Sequence, residues 1–215
     1  MGHFLAVTAI RSESTQEVTR AVCDYLKSHA VDYELVPATT PLSEDRDAQL
    51  LAPSSGWSVV VWPTYFNVHD FALAKSLASR EGWLISTVHV YDGDYWEHLA
   101  LQGSTELHAY CSRPNYWADE PTELARVSAF DSSPNRLASA IGVPASALAP
   151  YLVDVDALSP NEGKAQPSDR FALDDFWVFT DFWRQLGIAY PDLTVTAASV
   201  VIRLSRWFGK RLPSV

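Results

Sequence analysis

The segment from Trp83 to Cys111 constrains the fold more than any other part of the sequence. It reads WLISTVHVYDGDYWEHLALQGSTELHAYC, with three runs rich in β-branched and aromatic residues separated by two glycine-containing turns. Runs of this composition, bounded by turn residues, are typical of β-strands joined as hairpins. The sequence therefore predicts a three-stranded antiparallel meander, and the remaining elements have to pack around it.

The turn chemistry predicts how these three strands align. The Asp-Gly turn, treated as a two-residue loop, pairs His89 with Trp96. The Gln-Gly-Ser turn, treated as a three-residue loop, pairs His98 with His108 and keeps polar and apolar faces separate. Because side chains alternate between the two faces of a strand, this alignment places the three histidines together on the face turned away from the core.

Three histidines on one face allow two interpretations. Three imidazoles can hold a zinc ion and leave a position open for water, and a single imidazole can act as a general base near neutral pH. The other interpretation is an amphipathic sheet face on which histidine and aromatic side chains stack across strands. The structural interpretation is preferred, so no metal, cofactor or catalytic residue is predicted. The alternative is a histidine- or metal-dependent enzyme that uses His89, His98 and His108.

The residues before the meander predict an α+β fold. Strand patterns occur there at residues 3–10, 32–38 and 57–63, and helix patterns occur at residues 14–30 and 67–82. Ser14 and Glu17 have the spacing of a capping box at the start of the first helix. Residues 39–56 are polar and rich in proline and serine, which is typical of a loop. The order β-α-β followed by β-α-β-β-β predicts a mixed, ferredoxin-like sheet with helices on one face.

From about residue 114 the pattern becomes helical. Residues 173–187 and 192–210 both carry apolar side chains at helical spacing, and they predict two amphipathic helices. The predicted division of the chain is therefore an α+β sheet domain at residues 1–113 and a C-terminal helical lobe at residues 114–215. The lobe is expected to pack on the sheet, so that the two parts form one compact unit.

Charge and motif content narrow the class of function. The formal net charge is -10 at pH 7, and such a surface repels the phosphates of nucleic acid and suits a basic partner. Cys23 and Cys111 fall in a helix and a strand pattern and predict buried thiols. Neither a signal-peptide pattern nor an apolar run of roughly 20 residues occurs, so a cytoplasmic protein that does not engage a membrane is expected. No phosphate-binding loop, nucleophile elbow or zinc-protease motif is present in the sequence.

Aromatic and acidic residues indicate the candidate binding surface. The chain has 8 Trp, 9 Tyr and 9 Phe, and Trp and Tyr are enriched at the centre of protein interfaces. Acidic residues at the rim speed association with a basic partner, although Asp-Gly-Asp also satisfies the needs of a tight turn. The predicted partner-binding residues are Trp62, Tyr65, Asp92, Asp94, Trp96, Trp117, Asp119 and Glu120.

One stretch within residues 88–117 carries a family resemblance. It combines a strand that ends in Tyr-Asp-x-Asp, a glycine-turned hairpin, and Pro-x-Tyr followed by an aromatic residue at Pro114–Trp117. In these features the chain resembles small acidic bacterial proteins of the cytosol that neutralise secreted toxins, the immunity proteins. The net charge of -10, the many aromatic residues and the missing catalytic motifs predict a non-enzymatic cytosolic binding protein that caps a basic toxin or enzyme. The resemblance implies that it is of the immunity or inhibitor type, and it assigns no site residue.

Overall fold

The computed structural model describes residues 3–64, 66, 70–159, 163–191 and 198–205. Eight strands form one sheet: β1 (Leu5–Ile10), β2 (Tyr33–Val36), β3 (Asp47–Leu51), β4 (Ser58–Val61), β5 (Leu84–Tyr91), β6 (Tyr95–Gln102), β7 (Thr105–Cys111) and β8 (Ala198–Leu204). Six α-helices accompany them in the described ranges: α1 (Thr15–Ser28), α2 (Asp70–Glu81), α3 (Pro121–Ser128), α4 (Asn135–Ile141), α5 (Ala145–Leu148) and α6 (Val178–Gln185). The predicted α+β class is confirmed.

The sheet is antiparallel throughout, with the order β2-β8-β3-β4-β1-β5-β6-β7. The predicted mixed, ferredoxin-like sheet is therefore not what the chain forms. The reason lies in β3 and β8, which come from segments predicted as a loop and as a helix. These two strands occupy the positions between β2 and β4, so the early β-α-β pattern does not bring β1 and β2 together.

In the part of residues 192–210 that the structure describes, the strand β8 replaces the predicted final helix. It begins at Ala198, inside residues 192–210, and it lies between β2 and β3. An interior strand is covered on both faces, so Val201 and Ile202 are both buried, one in each of the two main core clusters. A short apolar run of this kind fits a buried strand as well as a helix. Arg203 also makes two hydrogen bonds, of 2.8 and 2.7 Å, to the carboxylate of Asp47 opposite it on β3.

Helices cover both faces of the sheet, in contrast to the predicted single helical face. Residues of α1 and α2 pack with the core on one face, and α3 lies on the same face at β6 and β7. Residues of α4, α5 and α6 pack on the opposite face, where α6 contributes Phe179, Phe182 and Trp183. The described residues of the segment predicted as one lobe, residues 114–215, thus lie on both faces of the sheet and in the sheet itself.

The first helix forms as its sequence predicts. The Ser14 hydroxyl accepts a hydrogen bond of 3.2 Å from the Glu17 backbone N–H, which is the N-cap half of the predicted capping box. The helix then buries Val18, Val22 and Leu26, which recur at helical spacing on one stripe. The buried stripe fixes α1 on the sheet, where it contacts β3 and β8.

The meander is present, but its first hairpin has a different register from the predicted one. Asp92, Gly93 and Asp94 form a three-residue loop, so Tyr91 pairs with Tyr95 and His89 pairs with Glu97. Both Asp92 (φ 54) and Gly93 (φ 75) adopt left-handed backbone conformations, which aspartate and glycine tolerate better than most residues do. The change is one residue, and in a strand one residue reverses the face of every side chain.

The second hairpin differs as well. Gly103 and Ser104 form a two-residue loop, and the pairing shifts between Ala100 and Leu101 at a β-bulge. As a result His108 pairs with Ala100, and His98 pairs with Tyr110. Sequence reasoning had no signal for this bulge, because no glycine or proline marks it.

Substituting Gly93 tests the observed turn. The Gly93→Ala variant should lose about 1 kcal/mol of unfolding free energy, because an alanine is strained at a φ of 75°. The new Cβ would meet Phe176 Cε1 at 3.6 Å, an ordinary contact, so the cost is conformational. Urea denaturation measures it. Gly163→Ala is the control, since no atom lies within 4 Å of its Cβ position; equal effects of the two substitutions would contradict the assigned turn.

Candidate partner-binding patch and the buried histidines

The three histidines of the meander do not converge on one surface. His98 and His108 lie on the face covered by α6, whereas His89 lies on the opposite face with Glu97. All three are buried, with exposed fractions of 7% or less. The predicted alignment on one outward face is therefore wrong, and the one-residue difference in the first hairpin is its cause. Within the described residues no group of three or more His, Cys, Asp or Glu side chains is placed to hold a metal ion.

His98 and His108 form a neutral buried pair. Their Nδ1 atoms are 2.8 Å apart, so one ring donates and the other accepts. Ser86 Oγ lies 2.8 Å from His98 Nε2, and the ring of Phe182 covers both imidazoles. Burial, together with the charge that His108 would carry, keeps the pKa of His98 well below its usual value. Burial lowers the pKa of His108 to about 4, although the backbone of Ser132 opposes the shift. The pair is a polar element of the core.

Glu97 carries a buried charge on the other face of β6. Its side chain is fully buried, and Arg126 of α3 donates two hydrogen bonds to it, Nη1 to Oε2 at 2.9 Å and Nη2 to Oε1 at 2.8 Å. His89 Nε2 lies 3.2 Å from Oε2. Burial raises the pKa of Glu97, but His89 and Arg126 together lower it to about 2. This ion cluster joins α3, and the turn before it, to the sheet.

Four aromatic rings lie together beside the β5–β6 turn, those of Tyr91, Tyr95, Tyr116 and Trp117. Their ring centroids are separated by 4.8 Å for the nearest pair and 6.5 Å for the farthest. Trp117 Nε1 donates to the Tyr95 hydroxyl at 2.8 Å, and the Tyr116 hydroxyl donates to Asp94 Oδ2 at 2.9 Å. Tyr95 is buried at the base, and Tyr116 is 37% exposed at the top. These rings, with the exposed acids around them, form the aromatic–acidic patch, which consists of Tyr91, Tyr95, Tyr116, Trp117, Asp92, Asp94, Asp119 and Glu120.

Tight turns hold the acidic residues of the patch beside the rings. The Asp94 N–H donates to the Tyr91 carbonyl at 2.9 Å, and the Glu120 N–H donates to the Trp117 carbonyl at 2.8 Å. All four acids of the patch are exposed. Burial, and then the hydrogen bond to Asp94 and the charges nearby, raise the pKa of the Tyr116 hydroxyl. The patch therefore combines apolar rings with a negative electrostatic field.

The remaining predicted contacts lie elsewhere. Trp96 is 1% exposed and packs between Tyr110 and Phe182 under α6. Trp62 is 3% exposed, and its Nε1 donates to the Thr8 hydroxyl at 2.9 Å. Both tryptophans are core residues, since each side chain points into a face that helices cover. Tyr65 lies outside the described residues.

Sequence reasoning missed the residues that complete the patch and those that support it. Tyr91 and Tyr95 directly precede and follow the Asp-Gly-Asp turn. A three-residue loop there predicts that they pair across the hairpin, as they do. Tyr116 stands in the quoted Pro-x-Tyr stretch beside Trp117. By contrast, no local pattern connects Glu97 with Arg126, because 29 residues separate them in the chain.

Comparison with known proteins adds no relative. No protein-family model, curated protein or solved structure matches the chain. In the described part of the chain, none of the helices is both long and apolar enough to cross a membrane.

Proposed function

We propose that this chain is a non-enzymatic binding protein of the immunity or inhibitor type, which binds a basic protein partner through the aromatic–acidic patch. One observation carries the proposal: four mutually packed rings stand at two turns that also carry four exposed acidic residues, at a single end of the sheet. Five of the residues predicted from the sequence belong to this patch. The same proposal includes a cytoplasmic location for this chain and a basic toxin or enzyme as its target.

The patch has the physical properties of a binding surface. Its rings are held by hydrogen bonds and by one another, so little side-chain entropy is lost when a partner docks. A lysine or arginine side chain of a partner can lie over an exposed tyrosine ring while its charge faces Asp94. The acids at the rim, and the net charge of -10, favour rapid association with a basic surface.

The geometry gives the alternative function, a histidine-dependent enzyme, no comparable support. His98 and His108 are neutral at pH 7 and lie beneath Phe182, where a substrate does not reach them. His89 lies on the other face of the sheet, beside Glu97 and stacked on Phe71 at 4.7 Å. A role for these residues in stability accounts for their positions.

Reversing charge within the patch is expected to slow association. In the Asp119→Lys/Glu120→Lys variant, kon for the partner should fall by on the order of tenfold at low ionic strength, and the difference from wild type should shrink as salt is added. The Tyr116→Ala variant should instead raise koff, because it removes an exposed ring. The partner is first captured by the immobilised full chain from a lysate of the encoding organism, then purified, and rates are measured by surface plasmon resonance.

A matched variant separates the patch from the overall charge. Glu13→Lys/Glu17→Lys makes the same charge change at exposed positions that follow β1, at the opposite end of the sheet from the patch. This variant should keep near-wild-type rates. If both double variants bind equally well, or if the purified protein binds the Tyr116→Ala variant as tightly as wild type, the patch is not the binding surface.

A further inference from the structure

The two edges of the sheet are treated differently by the chain. At the β7 edge, the Ala109 N–H donates to the Asp131 carbonyl at 3.0 Å, so the segment after α3 covers that edge. At the other edge lies β2, whose only strand neighbour among the described residues is β8. Uncovered edges are sites where another strand can add. Among the described residues, the chain covers the β7 edge and places no strand against the outer edge of β2.

The outer edge of β2 presents backbone groups in a regular row. The Ser205 N–H donates to the Asp32 carbonyl at 2.9 Å, which fixes the phase of the ladder between β8 and β2. Because bonded pairs alternate in an antiparallel ladder, Glu34 and Val36 bond to β8. The N–H and C=O groups of Tyr33 and Leu35 then point outward, in position to pair with a ninth strand.

An apolar groove lies along this edge, between β2 and α1. It has a volume of about 550 Å³, and Cys23, Tyr33, Leu35 and Val200 supply its apolar lining. Leu35 is 56% exposed, the highest value among the large hydrophobic residues described as exposed. The side chains of a ninth strand would alternate, and every second one would enter this groove beneath α1.

The groove is basic in an otherwise acidic protein. Arg20 and Lys27 line it, and Asp24, the one acidic residue in the described lining, is paired with Arg80 at 3.1 Å. Lys27 Nζ also lies 5.9 Å from the centre of the Tyr33 ring. An occupant that brings a carboxylate near Arg20 and Lys27 would therefore be favoured.

We propose that β2 is a docking edge for an extended peptide segment of a partner protein. The segment pairs with the backbone of Tyr33 and Leu35, places alternate apolar side chains in the groove, and carries an acidic residue near Arg20 and Lys27. This is the strand-addition mode of peptide recognition. The docking edge is separate from the aromatic–acidic patch, because β8, β3, β4, β1 and β5 lie between β2 and β6. Failure of either proposal leaves the other intact.

A second copy of the chain fits the edge less well than a peptide does. If two β2 strands paired so that Tyr33 met Leu35 of the other copy, the two Glu34 side chains would lie directly opposite each other. Like charges in that position destabilise a strand pair. A second copy would also add its own Arg20 and Lys27 to a rim that is already basic. A peptide with an acidic residue avoids both conflicts.

Selection from a displayed library of short random peptides against the full chain tests the proposal. The enriched peptides should alternate apolar residues and carry Asp or Glu. Leu35→Lys should raise the dissociation constant of a synthesised enriched peptide by on the order of tenfold or more. Leu42→Lys should not, although Leu42 is also exposed, at 49%. Arg20→Glu/Lys27→Glu should raise the dissociation constants of the enriched acidic peptides in the same way. The amides of Tyr33 and Leu35 should exchange hydrogen rapidly in the free chain and slowly with peptide bound.

Several results would overturn the proposal. One is a set of enriched peptides in which apolar residues do not alternate. Another is a set of enriched peptides that the Leu35→Lys and Leu42→Lys variants bind with equal affinity. A further contradicting result is slow amide hydrogen exchange at Tyr33 and Leu35 in the free chain that becomes fast when the chain is truncated after Ser205. That result would mean that residues 206–215 fill the groove. A fourth is slow exchange that disappears on dilution together with a dimer in sedimentation, which would assign the edge to a second copy.

Discussion

The Arg126→Met variant is expected to lose about 3 kcal/mol of unfolding free energy, the lower end of the range for breaking a buried ion pair. The substitution removes both hydrogen bonds that the guanidinium donates to Glu97, and it leaves a carboxylate whose side chain is fully buried. Because the Arg126 side chain is itself 36% exposed, solvent can reach part of the vacated site and limit the cost. Urea denaturation at pH 7 measures the loss.

Two further variants make this result specific to the buried charge. Glu97→Gln removes the charge, so Arg126→Met should cost much less in that background, with a coupling of at least ~1 kcal/mol. Arg80→Met breaks an ion pair with Asp24 in which both side chains are partly exposed, at 54% and 37%, and it should cost ~1 kcal/mol or less. Equal losses for Arg126→Met and Arg80→Met would show that Glu97 is not held as the structure has it.

Acidification should destabilise the fold in two successive pH ranges. The first range belongs to His98 and His108, whose pKa values are lowered in the folded state, so the unfolded chain binds more protons than the folded one. Their contribution to the free energy of unfolding is fully present above the unfolded histidine pKa of about 6.5, and it falls as the pH drops toward 4. Each such histidine costs up to ~1.4 kcal/mol per pH unit, so His108 alone costs ~3 kcal/mol by pH 4.

The second range belongs to Glu97. Its pKa is lowered to about 2 in the folded state, so its contribution is complete above the unfolded glutamate pKa of about 4.3 and is lost as the pH falls toward 2. Stability should therefore decline below pH 6.5 and continue to decline below pH 4.3. Unfolding free energies from urea titrations at a series of pH values give this profile.

Removing both histidines separates the two ranges. His98→Leu/His108→Leu should flatten the profile between pH 6.5 and 4 and leave the decline below pH 4.3. Either single substitution leaves the partner Nδ1 buried without its 2.8 Å hydrogen bond and should cost about 1–3 kcal/mol at pH 7. A double variant whose profile matches wild type between pH 6.5 and 4 would contradict the buried pair.

Local chemistry was sufficient to predict some elements of the fold. The meander, the first helix with its Ser14 cap, and the α+β class all follow from patterns within a few residues of one another. The register did not follow, because Asp-Gly-Asp serves a two-residue or a three-residue turn and the choice depends on the backbone of Asp92. The strands β3 and β8 did not follow either, because their partners are distant in the chain, as Asp47 and Arg203 show.

The candidate site shows the same division. Asp92, Asp94 and Trp117 could be chosen from the sequence because acids and aromatic residues cluster near two turns. Trp96 fits the same reasoning, but it is a core residue, because α6 covers its face of β6 with Phe182. What sequence reasoning could not supply was the exposure of each ring, which depends on the helix that covers it.

The position of β8 has a consequence for the order in which the native state is assembled. As the chain is synthesised from its N-terminus, β2 and β3 emerge long before the strand that lies between them. During that interval β2 lacks β8, its strand neighbour among the described residues, and β3 has an open side. The most distant ladder, in which Glu34 meets Arg203, must therefore form late, and intermediates that precede it expose strand edges that invite aggregation.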